Sequence, residues 1–421
     1  RLDPSKRWRA FPSVSAAWRM NEESWFNLDF ISNLKVRASW GQLGNGAVLG
    51  LYDYMPMLKD ESYIAEKAYY QENLAAKDKT WEVIETTNLG IDFGLFNNRL
   101  SGSFEYYWKY NNDMLSSLQL PSQIGIGVPK MNVGKLKTWG WDFNISWKDK
   151  IKDINYQVSF NISDSQNKLV QYDGASTIKA GTVDLLEGYE MNSLWGYVTD
   201  GYWTSREEYL QYKKDHPGYK SFNDGKIAGG DVKYVAQGKA DHEIGVGGAT
   251  PEDPGDLVYL GNTNGRYLYG LNLAAQWKGF DISVMFQGVG KRSVLLEGSA
   301  ICPLYNTADM PWTIHRDYWT EDNPNAYWPR IYNNKGNDFN YKASDKWIQS
   351  GAYIRLKNIT LGYTIPVFKK YINRLRVYVT GEDIWEHSNL LSIYDPEVGN
   401  TPGRDVYPFF RTWTVGLNVS F

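Results

Sequence analysis

The chain has 421 residues, and 45 Lys and Arg against 48 Asp and Glu leave a net charge of −3, without the basic footprint that nucleic-acid binding requires. Mean hydropathy is −0.51 and no apolar run approaches the ~18 residues of a spanning helix, so a membrane reading has to rest on strands, whose lipid-facing and lumen-facing residues cancel in any hydropathy window. Aromatic residues make up 15% of the chain, with 31 Tyr and 18 Trp, types that favour places apolar at one end and wet at the other.

The amino-terminal stretch RLDPSKRWRAFPSVSAAW has scattered charges and no apolar centre, so it is not a signal peptide. For an envelope protein this implies either a leader already removed or a chain that is a piece of something longer. The first predicted strand, Arg9 to Arg19, sets Ala10, Val14, Ala16 and Trp18 on one face, and the second, Leu34 to Gly41, does the same with Leu34, Val36, Ala38 and Trp40. Thr87 to Phe96 alternates Leu89, Ile91, Phe93 and Leu95 with Asn88, Gly90, Asp92 and Gly94, then turns at Asn97 and Asn98 into Leu100 to Lys109. In Thr138 to Trp147 the residues Trp139, Trp141, Phe143, Ile145 and Trp147 oppose Thr138, Gly140, Asp142, Asn144 and Ser146. A turn at Lys148 to Asp153 leads to Tyr156 to Ser163.

Downstream, Arg266 to Lys278 places Tyr267, Tyr269, Leu271, Leu273, Ala275 and Trp277 together, and Gly279 turns it into Phe280 to Gly288. Ala352 to Thr364 changes phase near Lys357 and Asn358, the mark of a β-bulge. After Ile365 and Pro366 comes Leu375 to Gly381. The last strand, Thr412 to Phe421, alternates Trp413, Val415, Leu417, Val419 and Phe421 with small or polar residues without an error. That makes about eleven strands. Their connectors alternate: short after Trp18, Leu95, Trp147, Trp277 and Ile365, long over 45–84, 110–130, 172–265, 293–350 and 387–408. Short turns on one side and long loops on the other are the signature of outer-membrane β-barrels, with Trp18, Trp147, Trp277 and Phe421 at the periplasmic interface. A single-chain bacterial barrel needs an even strand count and no open edge. Eleven strands are therefore expected not to close alone, the partner strands lying before Arg1.

These stretches resemble the SusC/RagA-type TonB-dependent outer-membrane transporters. The matching runs are FPSVSAAWR (11–19), ISNLKVRASWGQLGN (31–45), TTNLGIDFGLFNNRLSGSFEYYWK (86–109), NVGKLKTWGWDFNISW (132–147), YLGNTNGRYLYGLNLAAQWKGFDISVMFQGVGKR (259–292), WTEDNPNAYWPR (319–330), GAYIRLKNITLGYTIP (351–366), RLRVYVTGEDIW (374–385) and the terminal strand. The resemblance implies that residues 1–421 are the carboxy-terminal half of a plugged barrel of about twenty-two strands, in the outer membrane of a Gram-negative bacterium. It further implies four partners outside this chain: the amino-terminal half with its plug, TonB, a SusD-like surface lipoprotein, and an oligomeric cargo, glycan favoured over peptide. Thr414, Gly416, Val419 and Phe421 are similar to the signal read by the barrel-assembly machinery. Relatives often carry a DxNxDGxI-like run ahead of YLGNTN; here VAQGKADHEI (235–244) keeps only Asp241 and Glu243 as weak Ca²⁺ candidates, and Gly265 stands where relatives usually have Pro.

Signals for chemistry are scarce. His216, His242, His315 and His387 have no second ligand at metal spacing, and Cys302 closes no bridge. The glycines at 245, 247 and 248 lack the strand and helix of a phosphate loop, there is no nucleophile elbow, and Asp173, Glu187, Glu190 and Asp200 read as a solvated loop face rather than a glycosidase pair. No enzyme and no cofactor are expected. The long loops instead mix aromatic and polar residues: Trp195, Tyr197, Tyr202 and Trp203 with Asp200, then Tyr305, Trp312, Tyr318, Trp319 and Trp328 with Asp309, Asp317 and Arg330. Rings that cover the C–H face of a sugar while polar groups bond its hydroxyls would make these a ligand-contacting layer; packing of the loops against each other is the other reading. Two rival classes remain open at this point. A passive porin would line its lumen with charge, whereas the inward positions here are mostly Ser, Thr, Asn and Gly. A soluble carbohydrate-binding β protein would need a second sheet over its apolar faces.

Overall fold

The computed structural model describes residues 1–64, 66–118, 125–174, 176–238, 241–305, 309–332, 335–366, 371–397, 399, 407 and 409–421. Eleven strands form one antiparallel sheet in unbroken chain order. They are β1 (Ser13–Arg19), β2 (Ile31–Asn45), β3 (Glu82–Leu95), β4 (Leu100–Ser116), β5 (Met131–Ile151), β6 (Ile154–Tyr172), β7 (Arg266–Trp277), β8 (Phe280–Lys291), β9 (Tyr353–Ile365), β10 (Arg374–Ser388) and β11 (Thr412–Ser420). Strands β1 and β11 are the two edges of the sheet.

Every predicted strand is present, several of them longer than the sequence suggested. β5 runs to Ile151 and pairs Lys148 with Gln157 and Ile151 with Ile154, so the turn is Lys152–Asp153 and not the longer Lys148–Asp153 connection. Charges end the apolar alternation there without ending the ladder, because backbone pairing does not depend on which solvent the side chains meet. The phase change in β9 is a bulge: the register shifts between Leu356 and Asn358 against β10 and between Met285 and Phe286 on β8. The Lys278–Gly279 hairpin has φ of 45° and 91°, the left-handed pair that matches strand twist in a two-residue turn. The turn after β9 falls partly on residues 367–370, outside the described residues.

One face of the sheet is apolar from edge to edge. Cross-strand neighbours such as Val36 and Ile91, Ile91 and Phe104, Phe104 and Phe143, Phe143 and Ile162, Leu273 and Val284, Val284 and Ile359, and Val379 and Val415 carry it across. These side chains are partly to largely exposed, together an area no soluble monomer leaves open. The sheet is the wall of a membrane barrel. A girdle of rings marks its short-turn end: Trp18 beside Trp25 (6.0 Å between centroids), Phe96 between Phe30 and Trp147 (6.3 Å each), and Phe280 against Tyr363 (4.4 Å).

The opposite face is polar and more charged than the inward Ser, Thr, Asn and Gly predicted. Arg37 meets Glu105 at 2.7 Å and Asp92 at 3.4 Å, Lys35 meets Asp92 at 2.9 Å, and Arg376 Nε donates to Asp281 at 2.9 Å. The charges are interspersed among small residues, which is why alternation alone understated them. Glycines on the sheet receive neighbouring rings. The Tyr378 ring lies across Gly416, where an added Cβ would come within 2.1 Å of it, and Tyr107 does the same at Gly140 at 2.6 Å. Within the assembly-signal positions, Gly416 is thus a packing requirement; Thr414 faces Thr380, Val419 pairs with Leu375, and Phe421 ends the chain exposed.

Candidate functional site: the loop layer

The loops at the other end build a second body with its own core. The loop between β6 and β7 packs Leu186, Trp195, Trp203, Tyr209, Tyr219 and Tyr234 together with Phe339 of the loop between β8 and β9. The latter loop buries Leu296, Cys302, Trp328 and Trp347 with Leu390 and Tyr394 of the loop that follows β10. One helix, α1 (Arg206–Asp215), was not anticipated. Ser205 Oγ accepts from Glu208 N (3.2 Å) while Glu208 Oε2 accepts from Thr204 N (2.7 Å), a start signal legible as Ser followed three residues on by Glu. His216 N closes the last turn on Tyr212 O (2.8 Å), and Gly218 at φ 111° leads the chain away.

Four of the predicted ligand-facing rings lie inside this body. Trp195 is buried against Tyr189 (5.1 Å) and Tyr259 (6.0 Å) and donates to Ser193 Oγ (3.1 Å). Trp203, 0% exposed, is met edge-on by Tyr209 (5.1 Å), Tyr212 (5.3 Å) and Tyr219 (6.3 Å). Trp319 lies over Gly229 and Gly230, where an added Cβ would sit 2.7 and 2.5 Å from its ring. Trp328 stacks on Trp347 (5.4 Å) and meets His315 edge-on (4.5 Å). As placed, these rings offer no free face to a sugar; they hold the loops together, the second of the two readings. Trp312 is half-buried beside His315, and Tyr202 donates its hydroxyl across to Tyr327 O at 2.6 Å. The exposed candidates are Asp200, paired with Lys233 at 3.2 Å, and Arg330, whose guanidinium lies 5.8 Å from the Tyr332 centroid. Trp203, Trp319 and Arg330 converge on the 228–231 turn: Gly230 N donates to Trp203 O (2.7 Å), Arg330 N donates to Gly230 O (3.0 Å), and the Trp319 ring covers Gly229 and Gly230. Trp195 shares a core cluster with Trp203, and Trp312 packs against the cluster that holds Trp328.

Two polar centres that sequence reasoning missed join the two largest loops. Asp231, fully buried, accepts from Ala228 N (2.9 Å), Tyr332 OH (2.8 Å) and Asn340 Nδ2 (2.9 Å). Burial raises its pKa, opposed by those bonds. Lys346 lies 5.0 Å from Tyr202, 4.7 Å from Tyr327 and 5.2 Å from Trp347 by ring centroid, and donates to Tyr327 O at 2.7 Å. Burial pulls its pKa down to about 8. Asp345 beside it accepts from Thr199 N (3.1 Å) and Oγ1 (2.7 Å). Nothing local signals either centre, because partners such as Tyr202 and Tyr327 stand 125 residues apart.

The weak metal candidates already have side-chain partners. Asp241 meets His216 Nδ1 at 3.2 Å and Glu243 meets Lys220 at 3.2 Å. Among the described residues no three His, Cys, Asp or Glu side chains are placed to hold a metal ion. The glycine run cradles no phosphate, since Gly245 N donates to buried Asp256 at 2.8 Å. His315 Nδ1 accepts from Trp312 N (2.9 Å), so its proton sits on Nε2, 3.2 Å from Ile301 O, and burial lowers its pKa. Burial pushes the Cys302 thiol up to about 12, an inert state. The YLGNTN run fastens the return into β7: Asn264 N donates to Asn262 Oδ1 (2.7 Å) and Asn262 Nδ2 to Met191 O (2.8 Å). The entry is therefore held by asparagines that precede Gly265.

No protein-family model matches the chain. It is 27% identical to TonB-dependent receptor P26 of Formosa agariphila, covering 99% of this chain and 42% of the relative. It is 24% identical to TonB-dependent receptor SusC of Bacteroides thetaiotaomicron, covering 100% of this chain and 41% of the relative. In fold it matches the RagAB peptide transporter with a TM-score of 0.75 at 21% identity, covering all of this chain and 44% of that one. The chain thus spans about two-fifths of the length of the curated relatives it matches. These relatives are receptors and transporters of the outer membrane, not enzymes.

Proposed function

We propose, for a chain that is similar along its whole length to SusC/RagA-type TonB-dependent receptors and lies in the outer membrane, that it forms the carboxy-terminal half of an energy-coupled importer. The whole protein takes up an oligomeric nutrient, glycan in the first instance and peptide in the second, through a plugged barrel. A SusD-like lipoprotein over the long loops traps the cargo, and TonB acts through the amino-terminal half. The observation that carries this reading is the joining of two bodies: a lipid-facing wall in unbroken antiparallel order and a thick, internally packed loop layer at one end. A diffusion pore needs only the wall. A loop layer with its own core is a rigid surface against which a capping partner can hold cargo, and cargo that binds two states unequally shifts the population between them. A soluble lectin or hydrolase would leave the apolar face of eleven strands uncovered.

The test is uptake of the labelled native oligomer by cells with and without TonB and with a protonophore. Import that collapses under both treatments, together with a lipoprotein and an amino-terminal polypeptide in the detergent-extracted complex, supports the reading. Uptake indifferent to both would establish a passive pore instead.

A further inference from the structure

At the loop end of β4 to β6 the lipid-facing side of the wall changes character abruptly. Its outermost tryptophans are Trp108 and Trp139, which face each other, with Trp141 two residues lower on β5. One step beyond, Tyr110, Lys137 and Lys168 stand directly opposite one another on three neighbouring strands. Lys135 joins them: the ammonium groups of Lys135 and Lys137 lie 5.2 and 5.7 Å from the Tyr110 centroid, and Lys137 lies 5.4 Å from that of Trp139. Two lysines facing each other across an antiparallel pair repel. Neither nearby carboxylate pairs with them. Asp164, down the strand, is held by Arg266 through two bonds of 2.8 and 2.6 Å, and Glu85, facing Tyr110 from β3, accepts a hydrogen bond from the neutral Gln42 amide at 3.2 Å. Among the described residues none of the three lysines has a carboxylate within ion-pair distance.

Height along the membrane identifies the missing counter-charge. From Trp147 in the short-turn girdle to Lys137 is ten residues, roughly 33 Å of strand, or about 25 Å along the normal at the usual tilt, which is the height of the lipid-facing band. The ammonium groups therefore stand at the headgroup level of the outer leaflet. Directly below them the wall is Trp139, Trp141 and Phe143. A molecule that satisfies both parts carries phosphate at the top and acyl chains beneath.

We propose that Lys135, Lys137 and Lys168, with Tyr110 between them, bind the phosphate groups of a phosphorylated glycolipid of the outer leaflet whose acyl chains lie along Trp139, Trp141 and Phe143. A soluble anion uses only the upper half of this surface; a neutral lipid uses only the lower half.

The test is native mass spectrometry of the complete receptor released from detergent and titrated with diphosphorylated lipid A, its dephosphorylated form and inorganic phosphate. The wild type is expected to retain the phosphorylated lipid, and the K135Q/K137Q/K168Q variant to bind it roughly a hundredfold more weakly, at about fivefold per lysine near a membrane surface. The triple arginine variant keeps binding within a few fold. Should the glutamine triple fail to show the heat-modifiable mobility of a folded barrel, K168Q alone, at an exposed position, decides by its fivefold. Unchanged retention by the folded triple, equal binding of the dephosphorylated lipid, or complete displacement by inorganic phosphate at comparable concentration would each overturn the proposal.

Discussion

Trp141 and Trp203 are the same side chain under opposite rules. Trp141 stands on the outer face of the wall beside Phe104 (6.4 Å), while Trp203 is sealed within a ring of tyrosines in the loop layer. In the wall, large apolar groups point away from the backbone sheet and small or polar ones point inward; in the loop layer the large groups point in. The difference is what covers them. Lipid covers the wall, so each strand needs only its own alternation and no partner surface. The loops must cover themselves, and do so with rings gathered from three separate stretches of chain. An aromatic residue therefore announces burial or a wet-dry boundary, and it announces a ligand only where no other part of the protein claims its face.

The strongest way to break this comparison is to empty the loop core. Trp203→Ala is expected to destabilise the loop layer by about 3–5 kcal/mol. Limited proteolysis should then cut within α1, while the barrel keeps its heat-modifiable mobility. Trp203→Phe is expected to be far milder, because the buried Nε1 has no hydrogen-bond partner to lose. If Trp203→Ala left proteolysis unchanged yet abolished cargo uptake, the ring would be a ligand contact after all.

The wall is tested by moving a charge across one peptide unit. Val284 sits at mid-height on the lipid face between Leu273 and Ile359, and Ser283 beside it points to the lumen. Val284→Arg should cost about 2–4 kcal/mol in lipid and deplete the protein from the outer membrane. Ser283→Arg should leave its abundance unchanged. Equal effects of the two would contradict the assignment of faces.

The same contrast explains what was legible in the sequence. Strand existence, order, the bulge near Lys357 and the asymmetry of the connectors were readable because alternation is local, and the lipid boundary repeats it on every strand. The loop core was not, since Tyr234 donates to Phe339 O across 105 residues and Val232 to Asn340 across 108. No window of sequence contains both halves of such a contact. Asp231 was likewise unremarkable until Tyr332 and Asn340 were seen to converge on it. The lumen charges failed for a milder reason, that scattered Arg37, Asp92 and Glu105 do not interrupt a period of two.

A third prediction sets the polar centre of the loop layer against pH. Lys346 has its folded pKa lowered to about 8 from an ordinary 10.5. Its stabilising contribution is therefore fully present above 10.5 and is lost as the pH falls towards 8. The wild-type loop layer should gain stability over Lys346→Met between these values, by at most about 3 kcal/mol. The three ring faces around the ammonium favour its charged form and reduce that figure. Tyrosines titrating in the same window do so in both proteins, so the difference between melting curves isolates Lys346. A difference that stayed flat from pH 8 to 10.5 would mean that the ammonium is solvated and the cage is open.

The smallest effect on stability is expected at the two exposed candidates, which makes them the most informative about function. Asp200 reaches out to Lys233 at the surface, and Arg330 fastens the 228–231 turn by a backbone hydrogen bond while its exposed guanidinium lies beside the Tyr332 ring. Asp200→Ala and Arg330→Ala should each leave the stability of the loop layer within about 0.5 kcal/mol of wild type, read from thermal melts. Both keep the rings of the core in place, so a fall in cargo uptake cannot be blamed on a collapsed layer. Losing a charge-assisted bond to a cargo hydroxyl or carboxylate costs about 1.5–3 kcal/mol, a tenfold to hundredfold loss of affinity. A loss of that size with unchanged stability would place cargo against this edge of the loop layer. Unchanged uptake in both variants would move the cargo contact off the layer's surface at 200 and 330 and towards the lumen, where Arg37, Lys35 and Arg376 already supply fixed charge on a polar face.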